Sequence, residues 1–209
     1  MAITPKTKWG GQEEDTPKII PSKITVRLEY GVGKMITEIS LLNFAKHAPL
    51  KINFVRPFNI IGPYQKGDAG FVVPRLVEQA LQGKPLTVFG DGSQKRTFTH
   101  VEDIVHAILL VMDSDRVLRI YNIGNPANLC SIRDLAEKIV RFTGSKSEIK
   151  CVDPKTIYGP YYEEAWNKVP NIDRVKKEIG WEPKHSLDSI LLEYIRFAKG
   201  EFDLMNPTI

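Results

Sequence analysis

Tyr30 and Lys34 stand four residues apart in EYGVGKMITE, so a helix through this stretch puts a phenol and an ammonium on one face. An ammonium beside a phenol favours the phenolate. A phenolate held there can take the proton of a substrate hydroxyl while hydride leaves the same carbon for a nicotinamide, which is general base catalysis coupled to a cofactor that carries the redox chemistry. Tyr-x-x-x-Lys alone arises often by chance, and a tyrosine packing its ring beside a solvated lysine is the plainer account. Other segments must decide between the two.

The chain has 209 residues, enough to bury a core in one domain with or without a small lobe. Its hydrophobic fraction of 42% and charged fraction of 26% are those of an ordinary globular protein. Lys+Arg at 29 exceed Asp+Glu at 25, a net charge of +4 spread along the chain. That dispersal argues against a nucleic-acid footprint and leaves room for a basic pocket. Cys130 and Cys151 lack CxxC spacing, and His47, His100, His106 and His185 are scattered, so no metal centre is expected. The stretch MAITPKTKWGGQEED has no signal-peptide-like apolar run, and no segment approaches the ~18 apolar residues of a membrane span, so a cytoplasmic protein without a membrane partner is expected.

The elements that must position the pair follow from periodicity and punctuation. Pro5, Gly10, Gly11, Pro17 and Pro21 make residues 1–23 read as irregular. A helix is predicted from Val26 to Ala48, with Leu28, Met35, Ile36, Ile39, Leu42 and Phe44 as its apolar stripe. A short strand in KINFVRPFNIIGP follows, then a helix over 70–82 ending at Gly83, a strand LTVFG, a polar loop GDGSQKRTFTH and a helix VEDIVHAILLVMD. RIYNIGNP reads as strand into turn, Ser131 caps a helix that stops at Gly144, and EIKCVD is a strand. A loop over 154–170 rich in Tyr, Pro and Trp, a helix NIDRVKKEIG, the turn WEPKHS and a helix over 187–199 complete the chain. Strands alternating with helices predict an α/β fold with parallel strand pairs. Asp103 is expected to serve a helix N-terminus, His100 to bond at that helix start, and Trp9, Trp166 and Trp181 to pack in cores or loops.

From Tyr30 onward the ordered segments YGVGK, VRPFNIIGP, VPRLVEQAL, LTVFGDGSQKRTFTHVEDIVHAI, YNIGNP with SIRDLAEKI, and IDRVKKEIGWEP resemble the extended short-chain dehydrogenase/reductase family, the NAD-dependent nucleotide-sugar epimerases, dehydratases and decarboxylases. GSQKRTFTHVED, NIGNPAN and the order of elements in IYGPYYEEAWNKVPNIDRVKKEIGWEP look most like the UDP-glucuronate decarboxylases. The resemblance implies the C-terminal part of a Rossmann-like doubly wound sheet with an interleaved nucleotide-sugar-binding lobe over 25–200, after an irregular segment 1–24 and before a tail 201–209. It implies catalytic roles for Tyr30 and Lys34, which also meet the cofactor. It implies an amide from Asn59 to the sugar-nucleotide phosphates, contacts of Val88 and Phe89 with the base, and charge-assisted bonds from Arg96 to the diphosphate. Core burial accounts equally well for Val88 and Phe89, and solvation in a polar loop for Arg96. Lys168 stands where similar decarboxylases carry an arginine; a lysine can pair with a carboxylate but lacks the bidentate fork.

No G-x-G-x-x-G occurs in the chain; GVG at 31–33 lies in the tyrosine helix and GDG at 90–92 follows the LTVFG strand. Only Thr4 and Thr7 are available where the family sets a hydroxyl before its tyrosine. The chain is therefore expected to lack the N-terminal glycine-rich half. NAD belongs to the complete family enzyme and is not expected to bind this chain alone. Two functions stay open: an enzyme component acting on a UDP-sugar, inactive without a separate Rossmann half, or a non-catalytic nucleotide-sugar-binding or interaction module. A homodimer through the tyrosine helix is implied by the resemblance.

Overall fold

The structure, a computed structural model, describes residues 11–18, 20, 26–67, 70–162 and 167–201. Chain order is α1 (Val26–Ala45), β1 (Phe54–Pro57), β2 (Ile60–Ile61), α2 (Val72–Leu81), β3 (Leu86–Phe89), β4 (Lys95–Thr97), β5 (Thr99–His100), α3 (Val101–Asp113) and β6 (Ile120–Ile123). It continues with β7 (Leu129–Ser131), α4 (Ile132–Thr143), β8 (Ile149–Val152), α5 (Lys155–Tyr158), β9 (Asn167–Lys168), α6 (Asp173–Ile179) and α7 (Leu187–Ala198). The pairs β1–β6, β2–β5 and β3–β8 are parallel, as the alternation of strands and helices predicts. β4 runs parallel to β9 and antiparallel to β7.

Two hydrophobic cores hold these elements. In α2, Val73, Leu76, Val77 and Ala80 recur at helical spacing, so one face is apolar and buried. Beyond the helix Gly83 takes a left-handed φ of 66°, and Lys84 N donates to Gln79 O at 2.9 Å, which closes the helix end. At α4 the Ser131 hydroxyl accepts from Asp134 N and the Asp134 carboxylate accepts from Ser131 N, so two otherwise orphaned amides are satisfied. α2, α4 and α7 pack on β3 around Leu76, Leu86, Leu135, Ile139 and Leu191. The second core joins α3 to β6 and α6 through Ile104, Ala107, Tyr121, Ile123, Val175 and Trp181. Trp181 is fully buried, as expected, and its ring N–H donates to Asp103 O at 3.0 Å. Trp9 and Trp166 lie outside the described residues.

Two expectations need correction. GDGSQKRTFTH is not a polar loop: β4 and β5 run through it, and Arg96, Thr97, Phe98, Thr99 and His100 are all buried. Polar side chains are tolerated there because they find partners; Thr99 Oγ1 donates to Phe58 O at 3.0 Å and accepts from Asn125 N at 3.0 Å. Asp103 does stand in the first turn of α3, as expected, and its carboxylate also accepts from Lys184 N and His185 N, both at 3.1 Å, which pins the turn before α7. The apolar stripe expected on α1 is split: Leu28 is buried, whereas Ile36, Ile39 and Phe44 are 55%, 51% and 55% exposed.

Gly33 lies inside α1, and a Cβ built on it meets nothing within 4 Å. A helix-interior glycine costs about 1 kcal/mol relative to alanine. Gly33→Ala should therefore raise the unfolding free energy by about that amount, seen as a higher urea midpoint with an unchanged slope. A lower midpoint would show that the added methyl meets a surface the open face does not reveal.

Candidate functional site

Tyr30 and Lys34 share one face of α1, and the Lys34 ammonium lies 5.5 Å from the centre of the Tyr30 ring. Both side chains open to solvent, Tyr30 at 60% exposure. Glu38 continues the same face one turn further on. It accepts from Arg56 Nε and Nη2 and from Lys18 Nζ, each at 2.7 Å. Burial alone would push the Glu38 carboxyl up, but the bonds from Arg56 and Lys18 outweigh it and hold the group down at about 2. Arg56 belongs to β1, so this bidentate pair fixes the rotation of α1 on the strand.

Glu38 lies in the C-terminal half of α1, and Tyr30 is eight residues back, roughly 12 Å along the helix. Asn59 follows the C-terminal end of β1. Its φ of 38° is unusual for a side-chain-bearing residue, and backbone of this kind concentrates at functional sites. One N–H of its side-chain amide is taken by Thr97 O at 2.6 Å, which ties the end of β1 to β4.

β4 also brings Arg96 and Lys168 together. They are register partners across β4 and β9, although no local pattern in the sequence links them. Arg96 is 8% exposed and donates from Nη1 to Lys95 O at 2.8 Å, so it is a buried cation of the sheet rather than a solvated loop residue. Lys168 is half-buried beside it. Of the two residues expected at the base, Val88 is fully buried, and its side chain packs in the core. Phe89 is half-buried with the Arg75 guanidinium 4.7 Å from its ring, so of this pair it alone presents a surface.

Residues 12–15 are part of this architecture, which the sequence reading of an irregular segment did not foresee. Gln12 N donates to Val169 O at 2.6 Å and Asn171 N donates to Gln12 O at 2.9 Å, so the strand beyond Lys168 gains a partner. Glu14 is buried; its Oε1 accepts from Asn122 N at 2.9 Å and its carbonyl accepts from Arg56 Nη1 at 3.0 Å. Arg56 thus joins this strap, β1 and the tyrosine helix at one guanidinium. Thr4 and Thr7 lie outside the described residues.

The glycines do not build a dinucleotide cradle among the described residues. GVG is within α1, and GDG leads from β3 to β4 rather than to a helix. A Cβ on Gly92 would come within 2.7 Å of Val88 and 3.0 Å of Arg133, so that turn is packed by side chains. The pyrophosphate of NAD therefore has no glycine-rich seat among the described residues. Burial pushes the Cys130 thiol up to about 12, and Cys151 is exposed on β8 with its sulfur accepting from Arg133 Nη2 at 3.2 Å. Histidines that look scattered in sequence meet in space: the His100 and His185 rings lie 4.2 Å apart. As expected, His100 bonds at the start of α3, where its Nδ1 accepts from Glu102 N.

The sequence profile of the NAD dependent epimerase/dehydratase family matches residues 7–124. A UDP-N-acetyl-alpha-D-glucosaminuronate decarboxylase of Bacillus cytotoxicus is 35% identical over 187 residues, covering 89% of this chain and 58% of that protein. UDP-glucuronic acid decarboxylase 5 of Arabidopsis thaliana is 32% identical over 183 residues, covering 88% of this chain and 49% of that protein. The chain spans about half the length of these relatives. Among solved structures, a UDP-glucose 4-epimerase of Thermotoga maritima with UDP-glucose superposes with a TM-score of 0.80 at 28% identity, over 93% of this chain and 59% of that one. A UDP-glucuronic acid 4-epimerase of Bacillus cereus, in complex with UDP-glucuronic acid and NAD, gives 0.79 at 25% identity, over 93% and 58%. With more than half of its residues matched by the profile and the Rossmann-type arrangement in common, the chain belongs to the NAD dependent epimerase/dehydratase family.

Proposed function

We propose that this chain is the substrate-side part of an NAD-dependent enzyme that modifies a UDP-sugar. The observation that carries the reading is the pairing of Tyr30 and Lys34 on one open face of α1. In the complete enzyme NAD would supply the hydride-accepting chemistry at the sugar carbon. The Tyr30 phenolate takes the hydroxyl proton, with the Lys34 ammonium holding the negative charge on the phenol. Arg96 meets the diphosphate through its fork of donors, Asn59 supplies an amide, and Phe89 stacks on the base. Lys168, beside Arg96, faces a sugar carboxylate as a point charge. The decarboxylase names of the two curated relatives support a uronic acid as the sugar.

The dinucleotide half is supplied by polypeptide outside these 209 residues, and alone the chain turns nothing over. Exposed apolar residues support association: Ile36, Ile39 and Phe44 on α1, and Val105, Leu109 and Met112 on α3 at 49%, 53% and 73% exposure. We assign the α1 surface to a homodimer. The same exposure favours the second reading, a non-catalytic interaction module, in which no nucleotide sugar binds at all.

Calorimetric titration of the chain with UDP-glucuronate, UDP-glucose and NAD separates the two. Binding of UDP-glucuronate without NAD is expected. Binding of no nucleotide sugar would favour the interaction module, and tight binding of NAD would overturn the assignment of the cofactor to another part.

A further inference from the structure

The histidine pair sits at the junction of the start of α3, α7 and the turn before α7. One ligand atom from each of His100, Glu102 and His185 falls within 4.8 Å of the others. His185 Nε2 lies 3.6 Å from Glu102 Oε2, and His100 Nδ1 lies 3.9 Å from that same oxygen. Ligands bound tetrahedrally at about 2.1 Å from a zinc-type ion lie roughly 3.4 Å apart. Two of the three edges are therefore near the needed length, and Glu102, 71% exposed at its side chain, is free to swing into place.

The outer nitrogens of the two rings carry the argument further. Asp103 is 3% exposed, and its carboxylate already accepts two backbone N–H groups, so it can only accept from His185 Nδ1, 3.0 Å away. The Nδ1 proton is thereby fixed and the Nε2 lone pair is turned outward, toward Glu102. His100 repeats the arrangement with its nitrogens exchanged. Its Nε2 is buried and lies 3.1 Å from Glu193 Oε2, close but not aligned as a hydrogen bond, while Nδ1 faces Glu102. A carboxylate behind the second nitrogen of each imidazole is how metal-bound histidines are oriented. The bond that His100 Nδ1 now accepts, from Glu102 N at 3.3 Å, is long, and it would have to be given up for that nitrogen to take a metal. Three carboxylates, Glu102, Asp103 and Glu193, surround the rings, whereas Lys184 enters only through its backbone N–H.

We infer that His100, Glu102 and His185 bind a divalent transition-metal ion of the zinc class, with an open position filled by water. Two imidazoles and one carboxylate form a zinc ligand set of that kind, and a hard ion such as Mg2+ is not suited to it. The bound ion ties the turn before α7 to the start of α3.

The test is calorimetric titration of the 209-residue chain with Zn2+, with Mg2+ alongside. One Zn2+ per chain is expected, bound at least tenfold more weakly by Glu102→Gln and by His185→Ala. His106→Ala, whose exposed ring is one turn further along α3, should bind like the wild type. Zn2+ should also raise the melting temperature of the wild type but not of Glu102→Gln, a substitution at an exposed side chain that leaves the core intact. No saturable Zn2+ binding, unchanged binding by both site variants, or loss of binding in Cys151→Ser would each overturn the assignment.

Discussion

Arg56→Ala is expected to destabilise the chain by about 3 kcal/mol and to lower its melting temperature by roughly 5–10 °C. The guanidinium and the Glu38 carboxylate are only 16% and 17% exposed, so removing one leaves the other charge poorly solvated. The acid response gives an independent readout. In the folded chain the Glu38 carboxyl is held at about 2, against its ordinary 4.5. The folded state thus keeps the group charged where the unfolded chain would take up a proton. Its contribution, worth roughly 3 kcal/mol, is complete above about pH 5 and is lost as the pH falls from 4.5 toward 2. Arg56→Ala should flatten the stability profile in that window, because the partner that outweighs burial is gone. Glu38→Gln should flatten it too, and the double variant should lose less than the sum of the single losses. Additive losses with parallel acid profiles would mean that the pair does not hold α1 on β1.

What could be read from the sequence was what local spacing encodes. The faces of α2 and α4, the Ser131 cap and the glycine that ends α2 follow from residues within a few positions of one another, and all are present in the fold. Tyr30 and Lys34 were legible for the same reason, since an i, i+4 pair needs only a helix. Arg96 and Lys168 required the register of β4 on β9, which is set by packing between distant segments. β4 and β5 were hidden because short strands built mainly of polar residues, KRT and TH, carry no apolar alternation. The clue to Glu38 was present in the sequence, one helical turn after Lys34, but its meaning depends on Arg56 across the chain fold. His100 and His185 meet only because Asp103 draws the turn before α7 onto the start of α3. Residues 12–15 lack any periodic pattern, and their place is set by bonds to Asn122, Val169 and Asn171.

Tyr30→Phe should have the largest effect of all, provided the proposed reaction is correct. In an enzyme completed by its dinucleotide half, turnover should fall by about 10²–10⁴-fold, the usual contribution of a positioned acid–base group. The substitution removes one hydroxyl from a side chain that is 60% exposed and fills no core, so folding and UDP-sugar affinity should not change. Arg96→Lys should give the opposite pattern. It keeps a positive charge on β4 but loses the fork, so UDP-sugar affinity should weaken by about 10–100-fold, in line with a charge-assisted hydrogen bond worth 1.5–3 kcal/mol. The two variants divide the site into a part that reacts and a part that binds. If Tyr30→Phe weakened binding and left turnover of bound substrate intact, the phenol would be a contact and not the base. If both variants bound UDP-sugar like the wild type and neither lost turnover, the α1 face and the β4–β9 pair would have no share in the reaction, and the exposed Tyr30 would be a dimer contact on a helix already rich in uncovered apolar side chains.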